Sequence, residues 1–279
     1  MKKFLFLLIT IACIGVLVSG HLYWKDKINA AGIEGKKVAE IIEEKEDLKK
    51  EELMNKLRPE NNIHQSTIDF LHYRALTKEQ VIVAVVGSNV TAGTGATDSS
   101  YSWAEILQTK LQTSNPDLQS LRLTNHGYEG YTTSDLLISK KVDKVIKDAP
   151  DLVIFENSLI NNHLRSVPLE QTLLDLQNIM AALKTGIPNA RIFMMSPNPI
   201  VNKDTKNSLG LTYMDYINAS KELIVKNNWP YIDSISGIEK KLTEDNLLLV
   251  DTLTNDYVNP NNKGNALWAE FLYAYLKSQ

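Results

Sequence analysis

From residue 80 to the C-terminus, short apolar runs alternate with longer segments whose apolar residues recur at helical spacing. Short apolar runs are suited to strands that are buried on both faces, as in a parallel sheet. Because helical patterns separate these runs, the chain predicts an α/β fold, a three-layer α/β/α domain with a parallel sheet. The predicted strands are residues 81–86, 121–124, 152–156 and 191–195, with a weaker one at 229–232.

The N-terminal segment has a different composition. Lys2 and Lys3 precede an uncharged run, residues 4–24, which at about 1.5 Å per residue is long enough to cross the ~30 Å hydrocarbon core of a membrane. With Tyr23 and Trp24 at the interface, the run is predicted to be an uncleaved signal-anchor of a single-pass membrane protein. The following domain would then be extracytoplasmic. The alternative is a signal peptide whose cleavage secretes the protein, although the small-residue cleavage site is poor.

Between the apolar run and the predicted domain, the chain is dense in lysine and glutamate. A few apolar residues recur there at helix-like spacing until Pro59 interrupts the pattern. We expect a charged helical stalk or linker that is solvated. A partner-binding coiled coil is the alternative, but the apolar repeat is short and irregular. The predicted organisation is an anchor at residues 1–24, a stalk at 25–79 and a domain at 80–279.

Charge and residue types narrow the classes of partner. A net charge of −3 over 279 residues gives no electrostatic reason to expect nucleic acid as a partner. Cys13 is the only cysteine and lies in the apolar run, so the predicted exported part has no disulfide. His21, His64 and His72 lie in the predicted anchor and stalk, and no metal-ligand spacing is present. We therefore expect neither a metal site nor another cofactor.

The motifs that carry chemistry follow the predicted strands, where parallel α/β sheets place their sites. The glycine-rich segment 87–95 follows the first strand and precedes a helix. Such a segment is a plain tight turn, a phosphate-binding loop or a nucleophile loop. It lacks both the Gly-Lys-Ser/Thr of a P-loop and the GxGxxG spacing of a dinucleotide site, so the phosphate interpretation is weak.

Four segments resemble, in the right order, the landmark blocks of the GDSL/SGNH hydrolase family, over about residues 81–276. The first has the outline GDSxTxG, with Gly87, Thr91 and Gly93 in place. The others are similar to NxGxxG, PDLV…ND and DxxHPNxxG. The resemblance implies the flavodoxin-like three-layer fold of that family and an ester hydrolase as the ancestral activity.

The same resemblance assigns roles at the site. It implies that Gly130 N–H and the Asn161 amide are oxyanion donors and that Asp256 orients the base. Asn89 stands at the position of the nucleophilic serine, and Asn259 at that of the histidine base. An amide is neither a useful nucleophile nor a proton acceptor near neutral pH. The sequence therefore predicts a hydrolase-like cleft with degenerate catalysis.

The predicted ligand of such a cleft is an acylated carbohydrate or another cell-envelope component. One alternative is an active esterase or deacetylase that uses Ser88 as its nucleophile, with His126 or His163 as a relocated base. A second alternative is a structural envelope protein with an empty site. Glu129 and Glu156 are expected to be solvated or helix-capping groups rather than catalysts.

Overall fold

The computed structural model describes residues 2–279, which divide into two units, one ending at Lys56 and the other spanning Leu57–Gln279. The first unit is a single, mostly exposed helix, and this helix, α1 (Lys2–Leu57), ends one residue beyond the unit, at the buried Leu57. Its N-terminal part is long and apolar enough to cross a membrane, a property that it shares with signal sequences. One continuous helix thus covers the predicted anchor from Lys2 and the predicted stalk as far as Leu57. It ends before Pro59, because the residue preceding a proline disfavours the helical conformation.

The second unit is built on a five-stranded sheet in which each neighbouring pair of strands is parallel. The strand order is β2-β1-β3-β4-β5, so the chain winds outward from β1 in both directions. The predicted parallel sheet is confirmed. Its strands are β1 (Ile82–Gly87), β2 (Arg122–Gly127), β3 (Leu152–Glu156), β4 (Arg191–Met195) and β5 (Tyr231–Ile232).

Helices cover both faces of the sheet, and an apolar cluster fills each side. Alternate residues of β1 point to opposite faces, so Val85 enters one cluster and Val86 the other. Trp103 and Trp268 pack together in the first cluster, with ring centroids 5.3 Å apart. This is the predicted three-layer architecture. The helices are α2 (Thr67–Thr77), α3 (Asn89–Ala92), α4 (Trp103–Ser114), α5 (Thr133–Ile138), α6 (Lys141–Lys147), α7 (Leu159–Leu164), α8 (Leu169–Gly186), α9 (Tyr213–Lys226), α10 (Ser234–Glu244) and α11 (Asn262–Ser278).

Helix α2 belongs to the compact unit, although the sequence pattern placed it in the stalk. Its Leu71 is fully buried and its Phe70 is 8% exposed, and both lie in the cluster that contains Trp103. The compact unit therefore begins at Leu57 and not at residue 80. The reason is that α2 supplies apolar side chains to the core, a contribution that the charged composition of the preceding segment concealed.

A buried carboxylate also ties α2 to the sheet. The Asp151 side chain is 2% exposed and accepts hydrogen bonds from Arg74 Nε at 2.7 Å and Lys78 Nζ at 2.8 Å. The Ile82 N–H donates to the same carboxylate at 3.0 Å. Two cations and a backbone donor compensate the desolvation of this charge. The segment before residue 80 therefore contributes both apolar surface and charge pairing to the domain.

Candidate functional site

The site lies at the carboxyl edge of the sheet. At the ends of β1 and β2, Gly87 and Gly127 are register partners, so the loops that follow these strands start side by side. The loop after β3 starts on the other side of β1. These three loops carry Asn89, Gly130 and Asn161. Parallel strands thus bring together residues that are far apart in the sequence.

Asn89 begins α3, the single helical turn that follows β1. Its side-chain oxygen Oδ1 accepts hydrogen bonds from the Gly130 N–H at 2.6 Å and from Asn161 Nδ2 at 3.2 Å. Asn161 Nδ2 also donates to the Tyr131 carbonyl at 2.9 Å. The two donors that were predicted to hold an oxyanion therefore converge on one oxygen atom, and that atom belongs to the protein itself.

The backbone at Gly130 has a conformation that favours glycine. Its φ is +72°, in the left-handed region, and a Cβ at this position would meet no atom within 4 Å. Conformation, and not space, is therefore what favours glycine. This backbone conformation directs the Gly130 N–H toward Asn89.

Asp256 and Asn259 form a second hydrogen-bonded group. Asp256 Oδ2 accepts from Asn259 Nδ2 at 2.6 Å. Its Oδ1 accepts from the Thr254 hydroxyl and from the N–H groups of Val258 and Asn259, at distances between 2.7 and 2.9 Å. Burial opposes ionisation of this carboxyl, but the hydrogen bonds outweigh it and hold its pKa below the ordinary value. Asp256 is therefore an ionised acceptor near neutral pH.

The partners fix which end of each amide faces which group. A carboxylate only accepts hydrogen bonds, so Asn259 turns its Nδ2 toward Asp256 and its Oδ1 away. A backbone N–H only donates, so Asn89 presents its Oδ1 to Gly130. Asn259 is 7% exposed, and its buried Oδ1 accepts no hydrogen bond from residues 2–279. At the position of the histidine base, the site therefore presents an amide oxygen that accepts no hydrogen bond from the described residues.

The loop after α3 connects the two groups. The Thr94 N–H donates to the Asn89 carbonyl at 2.9 Å, and Gly95 follows. A Cβ on Gly95 would lie 2.4 Å from the Pro260 carbonyl oxygen and 3.2 Å from Asn259 Cβ, and its φ is +97°. Only glycine permits this close approach. The loop that follows Asn89 therefore lies against the segment that carries Asn259. That Asn89 and Asn259 share one cleft stays a prediction.

The alternative nucleophile is inaccessible to solvent. Ser88 is fully buried at the residue before α3. Its backbone N–H donates to Glu156 Oε2 at 2.6 Å. This contact positions the start of α3, and complete burial opposes attack by the Ser88 hydroxyl on a ligand.

Glu156 is the residue whose role the sequence did not reveal. It is fully buried at the end of β3, so of its two expected roles, a solvated or a helix-capping group, the solvated one is wrong. Besides the Ser88 N–H, its carboxyl accepts from the Ser158 N–H at 3.0 Å and the Thr91 hydroxyl at 3.1 Å. Burial raises the pKa of this carboxyl, and the hydrogen bonds oppose that effect. Glu156 thus joins the loop that carries Asn89 to the loop that carries Asn161. The detectable signal was a glutamate ending an otherwise apolar strand.

The two candidate bases are engaged elsewhere. His126 Nε2 lies 2.7 Å from Asp148 Oδ2. His163 is 6% exposed, with its Nε2 3.1 Å from the Thr205 carbonyl and its ring against Tyr213. These partners are typical of structural histidines.

Two further positions have clear structural surroundings. Glu129 is exposed and accepts from the Thr94 hydroxyl at 2.7 Å, so it is solvated as expected. Asn162 stands where the family has an aspartate, and it is fully buried. Its Nδ2 donates to the hydroxyls of Thr133 and Thr172 at 2.8 and 2.9 Å. Asn162 therefore holds α5 and α8 together behind the site.

Among residues 2–279, no group of three or more His, Cys, Asp and Glu side chains is placed to hold a metal ion.

The chain was compared with known protein families and with curated proteins. Residues 85–267 match the family model described as GDSL-like Lipase/Acylhydrolase. This range contains all four blocks from which the resemblance was inferred. No curated protein matches the chain in sequence.

Solved structures share the fold. An acetyl xylan esterase, AlAXEase, is 20% identical with a TM-score of 0.56, over 70% of this chain and 98% of that one. A catalytic mutant of an acetylxylan esterase from Geobacillus stearothermophilus is 19% identical with a TM-score of 0.57, over 71% and 95%. A two-domain esterase active on acetylated mannans is 16% identical with a TM-score of 0.57, over 76% and 54%. At these identities the likeness establishes the architecture.

Proposed function

Because this chain belongs to the GDSL-like lipase/acylhydrolase family, we propose that its domain has lost serine-type ester hydrolysis and retains the cleft for ligand binding. Acyl transfer needs a nucleophile, a base that takes its proton, and donors for the developing oxyanion. The chain keeps the donors and the orienting carboxylate. The nucleophile and base positions are both amides.

The hydrogen bonds of Asn89 are the observation that carries this proposal. Its Oδ1 accepts from both oxyanion donors, Gly130 N–H and Asn161 Nδ2. A substrate carbonyl would have to displace this internal acceptor before any reaction began. On the opposite side, Asn259 donates to Asp256 but has no basic nitrogen to accept a proton. The site therefore supports binding better than turnover.

We test the loss of catalysis by restoring both residues. The double variant Asn89→Ser with Asn259→His should hydrolyse a simple acetyl ester, because Gly130, Asn161 and Asp256 are already in place. Each single variant should be at least about tenfold slower than the double variant, since nucleophile and base act as a unit. Ester turnover by purified full-length protein in detergent micelles is the measurement. Turnover by the natural protein at the rate of the double variant would contradict the proposal.

The alternative of an active esterase has a direct test of its own. A fluorophosphonate probe labels activated serines, and we expect it to leave the natural protein unlabelled. Labelling that disappears in Ser88→Ala would make Ser88 the nucleophile, despite its burial. Labelling lost in His126→Ala or His163→Ala would then identify the base.

We further propose that α1 anchors the protein in a membrane and that the domain lies outside the cytoplasm. The length and apolar character of the N-terminal part of α1 support anchoring. Mass spectrometry of membrane-extracted protein should find residues 1–24 still attached. A mature N-terminus near residue 21 would instead establish a cleaved signal peptide and a secreted protein.

The proposed ligand is an acylated carbohydrate or another component of the cell envelope. Support comes from structural neighbours whose described substrates are acetylated xylan and acetylated mannans. Ligand-dependent melting separates a binding domain from a structural envelope protein with an empty site. A rise in the melting temperature with xylo- or manno-oligosaccharides is expected only for a binding domain.

A further inference from the structure

We infer that Asn89 determines the specificity of the cleft, so that the cleft excludes acyl and carboxylate oxygens and takes the hydroxyl groups of a glycan. This inference rests on the proposed loss of catalysis, and it narrows the proposed glycan ligand to one whose bound hydroxyl group carries no acyl group. It depends on which groups of the site can still donate a hydrogen bond to a ligand and which can still accept one. Two observations on opposite sides of the site point the same way.

The first observation is that the donors are already used. Gly130 N–H and Asn161 Nδ2 both point at Asn89 Oδ1, with the Gly130 contact only 2.6 Å long. The second hydrogen on Asn161 Nδ2 is used by the Tyr131 carbonyl. A backbone N–H has one hydrogen and a side-chain amide has two. An acyl carbonyl that entered the site would therefore find its usual donors satisfied.

The second observation is that one buried acceptor has no hydrogen-bond donor among residues 2–279. Asn259 Oδ1 is buried and accepts no hydrogen bond from residues 2–279, and the contact with Asp256 fixes its orientation. A buried acceptor without a partner is unfavourable by about 1–3 kcal/mol. A hydroxyl group donates the hydrogen bond that this oxygen lacks, whereas an ester or a carboxylate has no hydrogen to donate. Asn259 Oδ1 is therefore complementary to an alcohol and not to its acetyl ester.

The exclusion of acyl oxygens is tested with sodium acetate at neutral pH, against sodium chloride at equal ionic strength. Full-length protein in detergent micelles should show no saturable binding of acetate by ligand-observed NMR. Asn89→Gly should free both donors and bind acetate at least about tenfold more tightly than the natural protein. Asn89→Ala is a second variant that frees the donors and keeps a better helix former at the start of α3.

The control removes a donor in the opened site. Asn89→Gly combined with Asn161→Ala should lose most of the acetate binding that Asn89→Gly gains. Saturable binding of acetate by the natural protein would overturn the inference. So would the absence of any gain in both Asn89→Gly and Asn89→Ala when circular dichroism shows them folded.

The preference for hydroxyl groups is tested with xylotetraose and its O-acetylated form. The natural protein should bind the free sugar at least several-fold more tightly, and Asn259→Leu should reduce that preference because it removes the acceptor. Failure to distinguish the two sugars, or preference for the acetylated one, would overturn the inference. Neither titration requires turnover. Their outcome is therefore separate from the test of lost catalysis, which rests on ester hydrolysis and probe labelling.

Discussion

The two ends of β3 each carry a buried carboxyl group, and the groups around them differ. Just before the strand, Asp151 is neutralised by two cations, Arg74 and Lys78. At the end of the strand, Glu156 is surrounded by neutral donors, the backbone N–H groups and hydroxyl described above. Opposite charges favour an ionised carboxylate, whereas the neutral donors around Glu156 do not outweigh the effect of its burial. The amino edge of the sheet, where the strands begin, therefore stabilises the fold. At the carboxyl edge, where the strands end, the buried Glu156 positions two loops but lowers the free energy of unfolding.

The largest effect is expected at the amino edge. Asp151→Ala would leave Arg74 and Lys78 facing each other, together with an unpaired Ile82 N–H, and should destabilise the domain by about 3 kcal/mol. Urea unfolding of the full-length protein in detergent micelles measures this change. Asp204→Ala, at an exposed aspartate, is the matched control and should change stability by less than about 0.5 kcal/mol. A loss as small as that of the control would show that the pairing at this edge is not important for stability.

A smaller effect is expected for a glycine at the carboxyl edge. Gly130→Ala and Gly210→Ala place a side chain at similar positive φ values, +72° and +75°, with no atom within 4 Å in either case. Both should lose about 1 kcal/mol of stability. Only Gly130 donates to the site. In the background that carries Asn89→Ser and Asn259→His, Gly130→Ala should therefore lower ester turnover about 100-fold, while Gly210→Ala leaves it unchanged.

Equal turnover of these two glycine variants would separate Gly130 from the oxyanion donors. The amino and carboxyl edges of the sheet would then differ only in how the carboxyl groups of Asp151 and Glu156 are paired.

The smallest expected effect is a difference in pH dependence. Burial raises the pKa of Glu156 in the folded chain, so the folded state binds this proton more tightly than the unfolded state does. Its contribution to stability is full at low pH and is lost as the pH rises through the raised pKa. Relative to Glu156→Gln, which does not titrate there, the natural protein should lose stability as the pH rises from about 4, near the ordinary glutamate pKa, through the raised pKa. Urea unfolding across this range measures the difference, and an opposite slope would contradict the assignment.

The sequence predicted most of the fold because the strands are buried on both faces and are therefore almost wholly apolar. It also predicted that Asn89, Gly130 and Asn161 meet, because each follows a different strand of one parallel sheet. What it could not give was the hydrogen-bond network. The orientation of the Asn89 amide depends on the φ of Gly130, and the burial of Glu156 depends on how closely the β1 loop approaches β3. Helix α2 was assigned to the stalk because its few apolar residues follow a long charged segment.

The satisfied amides also bear on how reversible the proposed loss of catalysis is. In the genetic code, asparagine is one base change from serine and one from histidine, so the residues of an active site are close in mutational terms. Asn89→Ser alone would shorten the side chain whose oxygen Gly130 and Asn161 now share. The imidazole of Asn259→His can donate to Asp256 as the asparagine does. Neither change alone would restore a working pair of nucleophile and base, so neither first step would be favoured for catalysis.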